Sequence, residues 1–120
     1  MSRSIGKILI VELGGWTDPP LALWLQSAGY EPKIAQGRQS GLDALYDTMP
    51  LMLIVGGDAD PKYYVALRRV SVVPILALTP TAEPEQIVAA FNAGVDDVQM
   101  DSIPSNEILA RVNALVRRFK

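Results

Sequence analysis

The strongest constraint on the fold of this chain is a series of five short apolar runs, separated by segments with helical spacing. The first run, Lys7–Val11, is almost wholly apolar, as a strand covered on both faces of a parallel sheet is. The five runs predict strands at Lys7–Val11, Glu31–Ala35, Leu51–Val55, Pro74–Leu78 and Val98–Met100. The alternation of strand and helix with short connections predicts a single α/β domain.

The segments between the runs carry start and stop signals for helices. Asp18 precedes Pro19-Pro20 and is predicted to cap the first helix, which Gly29 ends. Met49 and Phe119 are expected to close the buried stripes of the second and fifth helices. The remaining helices are predicted from Gly37 to Pro50, from Pro61 to about Val70, from Pro84 to Gly94 and from Ser105 to Arg118.

Right-handed crossovers then give a three-layer, doubly wound, five-stranded parallel sheet in the flavodoxin-like order 2-1-3-4-5. Ligands of such sheets bind in the crevice at the carboxyl ends of the strands. The residues that follow the strands here include Glu12, Gly56, Thr79 and Asp101. This crevice is therefore predicted to be poor in reactive groups.

Composition excludes several kinds of active site. The chain has no histidine and no cysteine, so it cannot supply a Ser-His-Asp triad, a thiolate nucleophile or a phosphohistidine. A formal charge of −2 argues against a general nucleic-acid surface, and Arg68-Arg69 and Arg117-Arg118 are interpreted as solvated helix faces. The apolar stretches are too short to span a membrane, and the N-terminus lacks the apolar segment of a secretory signal. We therefore expect a cytoplasmic protein with no membrane partner.

Short motifs along the chain occur in the order and spacing of a known family. They are Lys7-Ile-Leu-Ile-Val-Glu12, Ala28-Gly29-Tyr30, Ala44-Leu45, Pro50-x-Leu-x-Ile-Val, Val73-Pro-Ile-Leu-Ala-Leu-Thr79, Ala93-Gly-Val-Asp-Asp97 and Ile108-Leu-Ala-Arg-Val112. Together they resemble the receiver domain of two-component response regulators, the CheY-like fold, over nearly the whole chain. The last motif, with Arg117-Arg118 after it, is similar to the OmpR-type class. That resemblance implies that residues 1–120 are the N-terminal part of a longer regulator with a DNA-binding output domain.

The resemblance also implies a phosphorylation pocket, but its positions carry other residue types here. Such receivers phosphorylate an aspartate at the end of the third strand, with two acids for Mg²⁺, a lysine and a hydroxyl around it. The aspartate position falls on Gly56, which has no side chain. The acid pair falls on Glu12 and Leu13, and the lysine position falls on Asp101.

Two further positions depart from the family pattern. Thr79 keeps the hydroxyl, but the next residue, Pro80, lacks the N–H that the family uses to bind a phosphoryl oxygen. The aromatic switch position of the fifth strand is Val98. The sequence therefore predicts a degenerate receiver, or pseudo-receiver, without enzymatic activity. No cofactor is expected, and Mg²⁺ binding is expected to be weak or absent.

Other interpretations of the crevice stay open. Asp58 or Asp60 is a candidate displaced nucleophile, although aspartates before a helix are also ordinary turn formers and caps. Glu12, Asp58 and Asp101 are candidate oxygen ligands of a hard cation if they meet. The emptied crevice is also a candidate site for a nucleotide or metabolite. Trp16 lies in a short glycine-rich loop, and we expect it either to plug the pocket or to contact a partner.

The fourth helix and its neighbours are predicted to form a partner surface. The segment Ile87-Val88-Ala89-Ala90-Phe91 is apolar around more of its circumference than one-sided packing needs. In OmpR-type receivers the fourth helix, fifth strand and fifth helix form a twofold dimer interface with salt bridges. The resemblance carries this surface onto Ile87, Phe91, Asp96, Asp97, Glu107, Arg111 and Arg118. The predicted function is phosphorylation-independent dimerisation or protein interaction in signal transduction or transcription regulation, with DNA contacted only through an output domain.

Overall fold

A computed structural model describes residues 4–119 of the chain, which form five strands and five helices in strict alternation. The strands are β1 (Gly6–Glu12), β2 (Tyr30–Gln36), β3 (Met52–Gly56), β4 (Ile75–Thr79) and β5 (Asp97–Met100). The helices are α1 (Pro19–Ser27), α2 (Arg38–Thr48), α3 (Pro61–Val70), α4 (Pro84–Asn92) and α5 (Ser105–Arg118). Each predicted element is present, with its ends shifted by a few residues at most.

The five strands form one parallel sheet in the order β2-β1-β3-β4-β5, which confirms the predicted flavodoxin-like topology. The register pairs Glu12 with Gly56, Gly56 with Leu78, and Thr79 with Met100. Neighbouring strands thus end at almost the same level. The carboxyl ends of β1, β3 and β4 therefore meet in one crevice, as doubly wound sheets require.

Alternate side chains of the sheet enter two separate cores. Leu9, Val11 and Val55 pack with α2, α3 and α4 on one face, and Ile8, Ile10 and Ile54 pack with α1 and α5 on the other. The three inner strands are covered on both faces, so their central residues, Ile8–Val11, Met52–Val55 and Ile75–Leu78, are all apolar. Among residues 4–119, no helix combines the length and the apolarity that crossing a bilayer requires.

The structure corrects two predictions about helix ends. Met49 was expected to face inward, but it follows the last residue of α2 in a left-handed conformation (φ 49°) and is 85% exposed. Phe119 lies one residue beyond α5 and is 52% exposed, so the buried stripe of that helix ends at Val116. Both helices end before the apolar periodicity of the sequence ends. Met49 and Phe119, the last apolar residues of the two patterns, therefore lie outside the core.

The predicted role of Asp18 is also wrong in part. Asp18 does occupy the N-cap position of α1, but its side chain accepts no hydrogen bond from that helix. Its Oδ1 instead accepts a hydrogen bond of 2.9 Å from the hydroxyl of Ser105, the first residue of α5. The carboxylate therefore links the starts of the two helices that share one face of the sheet.

Candidate functional site

The centre of the crevice is filled by a contact between Trp16 and Gly56. Gly56 is buried at the carboxyl end of β3, between β1 and β4. A Cβ added to Gly56 would come within 3.0 Å of three atoms of the Trp16 indole, closer than real Cβ contacts allow. The ring therefore occupies the space that a side chain at position 56 would need.

The loop between β1 and α1 folds so that Trp16 returns to the sheet. Gly14 and Gly15 adopt positive φ angles of 58° and 81°, a conformation that glycine tolerates better than other residues. The amide of Trp16 then donates a 3.0 Å hydrogen bond to the carbonyl of Leu13. Of the two expectations for Trp16, the structure favours the plug, because the partly buried indole packs against the core beneath α1 and α5.

The acid pair at the end of β1 does not form a metal site. The Glu12 carboxylate accepts a 3.4 Å hydrogen bond from Nε2 of Gln36 on the neighbouring strand, and Leu13 is buried in the core. Within residues 4–119, no group of three or more His, Cys, Asp or Glu side chains is placed to hold a metal ion. The alternative in which Glu12, Asp58 and Asp101 meet as cation ligands is therefore not supported among the described residues.

Thr79 and Asp101 are linked to each other through the backbone at the other side of the crevice. The Thr79 hydroxyl donates a 2.7 Å hydrogen bond to the carbonyl of Thr81, so it is used within its own loop. The Asp101 amide donates to the Thr79 carbonyl at 2.8 Å. Pro80 supplies no N–H between them. Asp101 follows β5 directly, so an acid stands at the position where the family resemblance implies a lysine.

The two aspartates after β3 have different roles. The Asp60 side chain accepts a 3.0 Å hydrogen bond from the Tyr63 amide, which confirms its prediction as the cap of α3. Asp58 is exposed, and its backbone carbonyl accepts a 3.4 Å hydrogen bond from the Arg38 guanidinium. Asp60 is thus occupied in the fold, whereas the Asp58 carboxylate faces solvent.

The charged residues predicted for the partner surface are brought together along one open groove of about 610 Å³ between β5 and α5. They are Asp96, Asp97, Glu107, Arg111 and Arg118. The Arg111 guanidinium lies 3.6 Å from the Asp97 carboxylate and 3.6 Å from that of Glu107. These pairs form within one chain, and they hold the arginine in place beside the groove.

Asp96 has a second role that the sequence did not reveal. Its Oδ2 accepts a 2.8 Å hydrogen bond from the Ile75 amide and lies 2.5 Å from a nitrogen of Arg68. Arg68 also donates to the carbonyls of Gly94 and Val73. The interpretation of Arg68 as a solvated residue is therefore wrong, and the Asp96 carboxylate is used inside the domain.

The apolar part of the predicted surface is exposed. Val88 and Phe91 of α4 are 57% and 46% exposed, and Met100 of β5 is 40% exposed, while Ile87 and Val98 are partly buried. Only Ala90 of α4 is fully buried. This helix thus exposes two large apolar side chains and has one fully buried residue.

Sequence reasoning missed a cavity of about 290 Å³ between α3 and α4, next to the crevice. Its walls include Tyr64, a 1% exposed residue whose hydroxyl has no hydrogen-bond partner among the described residues. Burial, and then the charges of Asp58 and Asp60, raise the pKa of Tyr64 to about 12. Neither the burial of Tyr64 nor the cavity was predicted from the sequence.

Comparisons with known proteins agree with this architecture. The chain is 30% identical over 116 residues to the transcriptional regulatory protein ResD of Bacillus subtilis (strain 168), an alignment of 93% of this chain and 48% of ResD. It is 25% identical over 120 residues to the phosphate regulon transcriptional regulatory protein PhoB of Escherichia coli (strain K12), covering 94% of this chain and 52% of PhoB. No protein-family model matches.

Solved structures give the same fold. A two-component response regulator from Clostridium difficile superposes with a TM-score of 0.86 at 21% identity, covering 95% of this chain and 98% of that one. A CheY-like receiver domain from Methanospirillum hungatei JF-1 superposes with a TM-score of 0.84 at 20% identity, covering 97% of each chain. The chain is homologous to the receiver domains of response regulators.

The receiver spans about half the length of the two curated relatives, which are both transcriptional regulatory proteins. The resemblance found in the sequence motifs is thus confirmed, including its OmpR/PhoB type. The crevice holds the Trp16 ring over Gly56 and an exposed Glu12–Gln36 contact, and the Asp101 amide is bonded to Thr79 at its other side.

Proposed function

We propose that this receiver acts without phosphorylation, as a dimerisation or protein-interaction module of a signalling or transcription regulator. The observation that carries the proposal is the indole of Trp16 lying on Gly56. A phosphoryl-accepting carboxylate at position 56 has no room there, and the described residues gather no metal site around it. We propose accordingly that the domain is not an enzyme and that Mg²⁺ binding is weak or absent.

The groove between β5 and α5, together with the exposed side of α4, is the proposed contact surface. Its charged residues are held by pairs within the chain, with Arg111 between Asp97 and Glu107. Phe91 adds exposed apolar area beside it. Charged rims of this kind favour specific partners and apolar centres supply affinity, which suits a homodimer or a protein partner.

The partner of the whole regulator is part of the same proposal. The relatives that the chain matches are about twice as long as the chain and are named as transcriptional regulators. We propose that residues 1–120 are the regulatory part of such a protein in the cytoplasm. Any contact with DNA would then be made by an output domain and not by this one.

A phosphodonor experiment tests the first part. The chain is incubated with acetyl phosphate and Mg²⁺, and its intact mass is compared with that of the Asp58→Asn variant. We expect no phosphoryl adduct on either protein. An adduct on the native chain that disappears in Asp58→Asn would show an active receiver with a displaced aspartate, and would overturn the proposal.

Sedimentation at increasing concentration tests the second part. If the proposed surface makes a dimer, Phe91→Ser and Arg111→Glu shift the chain to monomer, whereas Val72→Ser does not. Val72 is a suitable control because it is 88% exposed in the connection between α3 and β4. A dimer that persists unchanged in both surface variants would contradict the assigned surface.

A further inference from the structure

Helices α2 and α3 leave an open groove of about 520 Å³ between them, on the face of the sheet opposite to α1 and α5. Leu42 and Ala66, which are apolar and partly buried, line this groove. Tyr46 of α2 and Val70 of α3 also line it, and they are 78% and 42% exposed. The groove therefore combines apolar residues with an exposed aromatic ring, and aromatic side chains are enriched at protein interfaces.

The two sides of the groove carry opposite charges. Asp43 and Asp47 line it from α2, and Arg69 lines it from α3. All three residues are exposed. Among residues 4–119, neither Asp47 nor Arg69 forms an ion pair, with each other or with another residue. The groove thus has an acidic side and a basic side whose charges are available to another molecule.

The opposite charges lie at a similar level along the groove. Asp47 is the next-to-last residue of α2, and Arg69 is the next-to-last residue of α3. Both helices connect parallel strands of one sheet, so they run in the same direction. The chain leaves these helices to enter β3 and β4, which lie side by side with Leu53 paired to Ile75. Asp47 and Arg69 are therefore at corresponding positions of two parallel neighbouring helices.

We propose that this groove binds the same groove of a second copy of the chain. A twofold axis along the groove lays α2 of each copy over α3 of the other, so that Asp47 of each chain meets Arg69 of the other. An axis across the groove would instead lay α2 on α2 and bring like charges together. The charge pattern is thus its own complement in one orientation. In that orientation Tyr46 of each copy packs beside Ala66 and Val70 of the other.

This contact is separate from the surface assigned under the proposed function. None of the residues that line the β5–α5 groove lines the groove between α2 and α3. A chain that uses both contacts builds assemblies larger than a dimer, because each copy then has two self-complementary surfaces. Contacts of small area are weak, so we expect the chain to be monomeric in dilute solution. The two proposals can fail independently.

Charge reversal tests the twofold geometry. Asp47→Arg and Arg69→Asp are made separately in an Arg111→Glu background, which removes the charge pairs of the other surface. Sedimentation equilibrium at increasing concentration measures association. Like charges meet twice in each single variant, and we expect association to weaken by about tenfold or more. When the two variants are mixed in equal amounts, opposite charges meet at both positions, and we expect association to return to that of the background chain.

Two further measurements test the apolar part and the place of the contact. Tyr46→Ser is expected to weaken association by about tenfold, because tyrosines are frequent hot spots of interfaces. Leu23→Ser is the matched control, since Leu23 is 66% exposed on α1, which packs on the opposite face of the sheet. On dilution of the ¹⁵N-labelled chain, we expect the largest amide shifts at Tyr46, Ala66 and Val70.

Several results would overturn the inference. They are a monomer at millimolar concentration in the Arg111→Glu background, dilution shifts centred outside the groove, or equal effects of Tyr46→Ser and Leu23→Ser. A mixture of the two charge variants that associates no better than either alone would reject the twofold contact. A thermal melt of each variant checks that it is folded. If a single charge variant unfolds, the double variant Asp47→Arg/Arg69→Asp replaces the mixture, and a monomeric double variant rejects the contact.

Discussion

Arg68 and Asp96 form an ion pair that ties the third helix to the start of the fifth strand, with 2.5 Å between the guanidinium nitrogen and the carboxylate oxygen. Both side chains are about four-fifths buried. The same guanidinium donates to the carbonyl of Gly94, and the same carboxylate accepts from the Ile75 amide. Four segments of the chain therefore depend on this one pair.

Replacing Arg68 by alanine is expected to lower the free energy of unfolding by about 2 to 3 kcal/mol, because it leaves a mostly buried carboxylate and two carbonyls without their donor. Urea denaturation measures the change. Arg69→Ala is the control, since Arg69 is exposed and exposed substitutions usually change stability by less than about 0.5 kcal/mol. Equal effects of the two substitutions would show that the Arg68 network contributes no specific stability.

A double-mutant cycle tests the contact between Trp16 and Gly56. Gly56→Ala is expected to destabilise the fold by about 1 to 3 kcal/mol, because the new methyl group has no room beneath the indole. The same substitution in a Trp16→Ala background is expected to cost much less, since the ring is gone. The control cycle combines Gly56→Ala with Trp24→Ala, because Trp24 lies on α1 and is 44% exposed. Additivity in both cycles would contradict the plug.

The two adjacent tyrosines of α3, each replaced by phenylalanine, are expected to change the free energy of unfolding in opposite directions. Tyr63→Phe removes a hydroxyl that donates to the carbonyl of Arg38, and we expect it to cost about 1 kcal/mol. Tyr64→Phe removes an unpaired buried hydroxyl, and we expect it to be neutral or stabilising by about 1 kcal/mol. Denaturant midpoints of the two variants are compared directly. A destabilising Tyr64→Phe would indicate that the hydroxyl does have a partner in solution.

The raised pKa values of the same two tyrosines predict that the domain loses stability at alkaline pH. Burial raises the pKa of Tyr63 and of Tyr64 from 10.0 to about 12. The folded chain therefore keeps these protons at a pH where the unfolded chain has released them, and the free energy of unfolding falls as pH rises from about 10 to about 12. Denaturation between pH 8 and 11.5 measures the slope. The double variant Tyr63→Phe/Tyr64→Phe is expected to have a shallower slope, and an identical slope would rule out this origin.

The architecture was predictable because its signals are local. The helix that begins at Pro61 was located correctly, since a proline in the first turn and a capping aspartate before it are both read from adjacent residues. Met49 and Phe119 were misplaced because periodicity does not report where a helix stops. The residue at which a helix ends depends on the turn that follows it.

The site was predictable only in part, since its main contacts join distant residues. Arg68 and Asp96 are 28 positions apart, and no local pattern near either residue predicts the ion pair. The glycines around Trp16 indicated an unusual loop, but only the packed structure shows that the indole lies on Gly56. The hydroxyl of Tyr64 has no sequence signal at all, because burial of the ring gives no information about the partner of its oxygen.

Helix α4 has one fully buried side chain, Ala90, whereas Val88 and Phe91 are exposed to solvent. The cost of local opening grows with the apolar area that an element buries, so we expect this helix, which has the fewest buried residues of the five, to be the easiest to displace. We therefore expect a partner that binds Phe91 to displace α4 more readily than it displaces the strands. We expect amide exchange in α4 to be the fastest among the helices, which would identify α4 as the element that answers a partner.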